Sequence, residues 1–234
     1  MISTEGVHMI CIDKYIEELT AELKEAFGGR LLYVGLQGSY LRGEANENSD
    51  IDIMAIIDDM TAEDLKTYKT ALMAVGNYDK SCGFICGREE LKSWNALEIC
   101  HLLHTTKDCF GCLGDFVPSY SKADILNYIK MSVGNLYHEL CHRYIHADRD
   151  CNVLYFPQTC KGVFFILQNL HYLKSGEFIL TKKELLESLS AAKDKEVLEL
   201  SISLNSSENT DYDFDNVFKI VYEWCQSTLS NLNY

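Results

Sequence analysis

Residues 38–57 read GSYLRGEANENSDIDIMAII, from Gly38 to Ile57, and this stretch decides the fold. Gly38-Ser39 is followed, after ten residues, by Asp50-Ile51-Asp52. The apolar run Leu31 to Leu36 comes before it, and Ile53 to Ile57 extends the segment that carries the two aspartates. Both runs predict strands, joined through a Gly-Ser turn and a polar loop from Gly43 to Ser49. Alternate side chains of a strand share a face, so Asp50 and Asp52 point one way and Ile51 and Ile53 the other. Two carboxylates on one face repel each other. A fold accepts that cost where a cation sits between them, and hard oxygen ligands suit Mg²⁺. Gly38 lets backbone approach a ligand, and Ser39 can open a helix whose free N–H groups face an anion. Mg²⁺ with a phosphate cradle is equipment for phosphoryl or nucleotidyl transfer.

With Gly35, Gly43 and Ser49 in place as well, the GS…DxD pattern from Gly35 to Ile57 resembles the nucleotidyltransferase superfamily typified by DNA polymerase beta. It is most similar to the small bacterial members, the minimal nucleotidyltransferases and the antibiotic adenylyltransferases. The resemblance implies ATP as co-substrate and Mg²⁺ held by Asp50 and Asp52. It implies nucleotide-binding roles for Gly38, Ser39 and Ser49. In the family a third carboxylate usually sits on the next strand, as a metal ligand or as base for the acceptor hydroxyl. That strand is predicted in Ser81 to Cys86, inside KSCGFICG, which holds no acid. Asp79, just upstream, is the nearest candidate for the third catalytic position. Cys82 and Cys86 read as core residues on opposite faces of that strand.

Working outward, Ile12, Tyr15, Ile16, Leu19, Leu23, Ala26 and Phe27 recur at helical spacing, and Gly28-Gly29 ends that helix. Thr61 with Asp64 predicts a capped helix to about Val75. Arg88 to Trp94 reads as a short helix and Ile99 to Leu103 as a fourth strand. The Gly- and Cys-rich stretch Thr105 to Pro118 reads as a linker. Domains are therefore expected at 1–117 and 118–234. The second half reads as helices: Ser121 to about His146, Val153 to Lys174 with a break at Pro157, Thr181 to about Leu189, Lys193 to about Leu204, and Asp213 to about Leu232. Residues 206–211 read as a polar turn. The expected class is α+β: a nucleotidyltransferase-type mixed sheet with flanking helices, then an antiparallel helical bundle. Lys161 to Leu189 resembles the helical domain of the aminoglycoside adenylyltransferases. On that likeness Lys182 is a candidate phosphate contact and Lys161 a second one.

Composition bounds the function. The chain has 234 residues, 47% apolar, enough for a sizeable core. A net charge of −14 argues against a broad nucleic-acid surface and suits a cationic acceptor such as an aminoglycoside. No apolar run reaches the length of a membrane span. The start, MISTEGVHMI, lacks the basic region and apolar core of a signal peptide. Ten cysteines without such a signal read as reduced thiols of a cytoplasmic protein. The sequence does not specify an oligomeric state.

Two other constellations carry metal-binding residue types. His101-x2-His104-x4-Cys109-x2-Cys112 has donors that suit Zn²⁺. His138, His142 and His146 fall on one face of a predicted helix. The reading favoured by the sequence is a Mg²⁺-dependent enzyme moving a nucleoside monophosphate, AMP from ATP, onto a hydroxyl. The resistance enzymes imply an aminoglycoside or lincosamide acceptor, and the minimal members a protein. The alternative, supported by the acid-free third strand, is a weak or inactive module that binds a nucleotide or a partner.

Overall fold

The computed structural model describes residues 10–206 and 212–232. The expected turn at 206–211 lies, after its first residue, outside the described residues. The chain forms two compact units, Met1–Ser119 and Tyr120–Tyr234.

The first unit is a four-stranded mixed sheet with helices on both faces. Its order is β3-β2-β1-β4, with β1 Leu31–Leu36, β2 Ile51–Ile57, β3 Ser81–Gly87 and β4 Lys107–Phe110. β1 runs antiparallel to both β2 and β4, and β2 runs parallel to β3. Strand alternation sorts the core into two layers. Val34, Leu36, Ile53, Ala55 and Ile57 pack with α1 (Ile12–Phe27) and α3 (Ala62–Val75) through Leu19, Leu23, Tyr68 and Ala71. Tyr33, Met54, Ile56 and Cys86 face the other way, onto Leu91 of α4 (Arg88–Lys92), Leu102 and Leu103 of α5 (Ala96–His104), and Leu113. β2 is buried on both faces, so from Ile53 onward it is an unbroken apolar run.

Gly83 lets β3 lie against β2. Its φ is +131°, and a Cβ there would overlap the backbone of Ile53. Only glycine fits that position.

Arg30 ties three elements together. Its guanidinium donates to both carboxylate oxygens of Asp64, at 3.0 and 2.6 Å, and to the carbonyls of Asp58 and Asp59. Asp64 also accepts from the backbone N–H and hydroxyl of Thr61, which caps α3. The Arg30 guanidinium, then the Thr61 N–H, hold the Asp64 carboxyl well below the usual carboxylate range. A depressed carboxyl contributes stability that is present above its unfolded value, about 4, and lost as pH falls further. Asp64→Asn is expected to lower the midpoint of thermal unfolding at pH 7 and to flatten its fall below about pH 4. Melting curves across pH 2 to 7 check this; an unchanged acid slope would refute it.

Two expectations here are corrected. Ile99 to Leu103 is helical, part of α5, because the Asn95 side chain accepts from the Leu97 N–H and starts a helix there. A short apolar run does not by itself distinguish strand from helix. The fourth strand is Lys107–Phe110, inside the stretch read as a linker. It is a polar, mostly exposed edge strand with no apolar run to announce it.

The second unit, among the described residues, holds α6 Lys122–His146, α7 Arg149–Cys160, α8 Gly162–Ser175, α9 Lys182–Ser188, α10 Ala192–Ser206 and α11 Phe214–Asn231. The capping box of Ser121 and Asp124 opens α6 as expected. The helix expected from Val153 to Lys174 is two helices, meeting at Lys161. Pro157 does not break α7, where it lies. Its missing N–H leaves the Val153 carbonyl open, and the Tyr212 hydroxyl donates to that oxygen at 2.7 Å. The core of this unit includes Ile129, Val133, Phe164, Leu167 and Trp224, with the Trp224 indole N–H donating to Asp194. No described helix is long and apolar enough to cross a membrane.

Candidate active site

β1 ends at Leu36, and the chain turns through Gln37 into the short helix α2, Gly38–Arg42. The Gln37 N–H donates to the Asp52 carbonyl at 2.8 Å, so the turn is fastened to β2 beside the second aspartate. Gly38 has φ +69°, and a Cβ there would overlap the Asp52 carboxylate. The glycine is therefore required twice, by its backbone angle and by the side chain against it. Ser39 follows within α2, partly buried.

Asp50 is exposed and Asp52 half-buried. By strand alternation they share the face of Met54 and Ile56, while Ile51 and Ile53 are buried on the other. Burial raises the Asp52 carboxyl above its ordinary range; the Cys82 thiol opposes this by donating a hydrogen bond, the Asp50 charge adds to it, and the Arg42 charge opposes it. The pair is thus close enough to interact, as the DxD spacing requires. Arg42 is itself largely buried and donates to Glu44 at 2.9 Å. It also helps hold His101 down to about 4, after burial, so His101 is neutral at pH 7.

Ser49, Asp79, Lys161 and Lys182 lie outside α2 and β2. The Ser49 hydroxyl oxygen accepts from the Asn46 N–H at 2.8 Å, which closes the loop before β2. Asp79 is exposed in the 3-10 turn Tyr78–Lys80 that precedes β3. Lys161 and Lys182 belong to the second unit. Lys161 is exposed at the junction of α7 and α8. Lys182 starts α9 after the Thr181 cap, with its ammonium 5.9 Å from the centre of the Phe164 ring. No group of three or more His, Cys, Asp or Glu among the described residues converges to hold a metal. His101, His104, Cys109 and Cys112 therefore do not form the site their spacing suggested: the two histidines lie on α5, Cys109 on β4 and Cys112 beyond it.

Sequence reading missed Cys82. The parallel register sets Cys82 directly across from Asp52. Cys82 shares its face with Phe84 and Cys86, correcting the expectation of opposite faces, and it is exposed, correcting the expectation of core. Partial desolvation of the thiol beside β2, then the Asp52 charge, raise it above the ordinary thiol value. A thiol thus stands on the third strand, at the position nearest the second aspartate. No local signal in KSCGFICG marks it, because its place beside Asp52 is set by the pairing of β3 with β2. Cys82→Asp would place a third carboxylate there. It is expected to raise the melting temperature gained on adding Mg²⁺ to at least about twice the wild-type gain, since a third charge strengthens cation binding. Thermal shift against Mg²⁺ concentration checks it, and an equal gain in both proteins would refute it.

Similar proteins are found for the first unit and for the fold. The family model described as nucleotidyltransferase domain matches residues 16–99. The chain is similar to a curated protein adenylyltransferase, MntA of Thermococcus cleftensis, at 36% identity over 74 residues, 29% of this chain and 73% of that protein. Among solved structures it is similar to spectinomycin adenyltransferase AAD(9) of Enterococcus faecialis, crystallised with ATP and spectinomycin. That likeness has a TM-score of 0.62 at 14% identity and covers 94% of this chain and 99% of that one. At that identity it shows the fold.

Proposed function

We propose that this chain, which belongs to the nucleotidyltransferase family and is an enzyme of that type, moves AMP from ATP onto a hydroxyl of a small molecule or a protein. The observation that carries the proposal is the Asp50–Asp52 pair at the start of β2, with the Asp52 carboxylate set against the Gly38 turn. The donor set fits Mg²⁺. Two carboxylates offer hard oxygens and leave positions for water and phosphate, as this ion prefers. A cation would also offset the burial and, after it, the Asp50 charge that lift the Asp52 carboxyl. When bound, Mg²⁺ would neutralise charge on the transferring phosphate.

The chain's own groups supply positioning. Asp50 and Asp52 would hold the metal. Gly38 allows the backbone of the turn to approach the distal phosphates, and the Ser39 hydroxyl offers a donor to them. The acceptor oxygen attacks the α-phosphorus as its hydroxyl proton passes to a base, for which Asp79 is the proposed carboxylate, and the bond from that phosphorus to the departing pyrophosphate breaks. The Cys82 thiol, raised by partial desolvation and by the Asp52 charge, is poorly suited to take the acceptor proton. Lys182, in the second unit, is a proposed phosphate contact by likeness to the adenylyltransferases, and Lys161 a second. The similar proteins suggest acceptors of two kinds, a protein, as for MntA, or a drug such as spectinomycin, as for AAD(9). A net charge of −14 favours a cationic drug over an acidic one.

One observation favours a second reading, a nucleotide-binding module without turnover: a thiol rather than a carboxylate faces Asp52. Purified protein with ATP, Mg²⁺ and a panel of aminoglycosides, lincosamides and candidate protein acceptors separates the two. Pyrophosphate release that depends on acceptor and on Asp50 supports transfer. Mg²⁺-dependent ATP binding with no release from any acceptor supports the module.

A further inference from the structure

α6 carries His138, His142 and His146 at intervals of four residues, so the three rings line one exposed face of its last turns. The ring centres of His142 and His146 are 4.8 Å apart, and those of His138 and His142 are 6.0 Å apart. The two spacings differ in what they can hold. An imidazole nitrogen binds a divalent transition metal at about 2.0–2.1 Å, which puts the metal about 3.2 Å from the ring centre. Two rings sharing one ion at roughly 90–110° then have centres about 4.5–5.2 Å apart. The His142–His146 spacing falls inside that window. The His138–His142 spacing lies outside it and would need a much wider angle at the metal.

We propose that His142 and His146 form a two-histidine surface chelate for a borderline divalent transition metal, Zn²⁺ or Ni²⁺. Imidazole selects these ions over Mg²⁺, so the site differs in ion preference from the carboxylate pair of the first unit. No described His, Cys, Asp or Glu joins the pair to make a three-ligand group, so water would fill the remaining positions and the ion would exchange readily. The site is independent of the nucleotidyl-transfer reading.

Equilibrium dialysis of the reduced full chain against Ni²⁺ tests it, together with paramagnetic broadening of ¹³C-histidine resonances. One equivalent is expected to bind, with His142 and His146 broadened before the other histidines. His142→Ala and His146→Ala should each weaken binding about tenfold or more, while His138→Ala changes it less than about twofold. All three positions are exposed, so the fold tolerates these changes. An equal loss on replacing His138, unchanged binding in either of the other variants, or no bound equivalent in the wild type would each overturn the proposal.

Discussion

Asp52→Asn is expected to abolish nucleotidyl transfer while leaving the protein at least as stable as before. The two outcomes have one cause. Asp52 is half-buried, and burial together with the Asp50 charge lifts its carboxyl above the ordinary range. A raised carboxyl means that folding disfavours the charged form, so at neutral pH the charge is a cost to the native state. Asparagine keeps the shape, removes the charge and removes its repulsion with Asp50. It also removes a hard anionic ligand. If that ligand contributes about 4 kcal/mol to the barrier, kcat/KM falls about a thousandfold, since each 1.36 kcal/mol is tenfold. Asp50→Asn should lose activity comparably. It gains less stability, because Asp50 is exposed and its charge was already solvated. The checks are pyrophosphate release, melting temperature, and the shift in melting temperature caused by ATP with Mg²⁺. A variant that keeps a tenth of wild-type activity would remove Asp52 from the centre of the reaction.

The parts legible in the sequence are those set by short-range spacing. DxD within an apolar run fixes which face the aspartates take, and a Gly-Ser pair after an apolar strand fixes where the chain turns. Both depend on residues a few positions apart. What stayed illegible depends on partners far along the chain. Cys82 belongs to the site because parallel pairing sets β3 beside β2 in a register that brings residue 82 to residue 52. Nothing within KSCGFICG states that register. β4 was hidden because an exposed edge strand needs no apolar run, and its hydrogen bonds come from β1. Ile99 to Leu103 is short enough to satisfy either period, and the deciding residue, Asn95, lies outside it. Ser49 matches the family pattern, but its hydroxyl oxygen takes the Asn46 N–H, an interaction that sequence spacing alone did not distinguish from a ligand contact.

Gly38→Ala is expected to cost activity far more than it costs stability. Two effects act at that position. The backbone is at φ +69°, where an L-residue with a Cβ is strained by about 1 kcal/mol. That alone would lower the melting temperature by a few degrees. The second effect is steric, because the added methyl overlaps the Asp52 carboxylate and cannot share its space. Either Asp52 rotates away, giving up the Cys82 hydrogen bond, or the turn retreats from β2 and strains the Gln37 N–H bond to the Asp52 carbonyl. Both routes separate the turn from the carboxylate pair by about 1 Å, and a displacement of that size costs about a hundredfold in rate. The loss should fall mainly on kcat, since the groups remain present but are misaligned in the transition state. A double variant tests the mechanism. With Asp52 already replaced by alanine, no carboxylate remains for the methyl to displace, so adding Gly38→Ala should produce only the small backbone loss in stability. If the full stability loss of the single variant persists in the double one, the clash with Asp52 is not its source. If Gly38→Ala retains wild-type kcat, the close fit between the turn and the carboxylate is not what sets the rate.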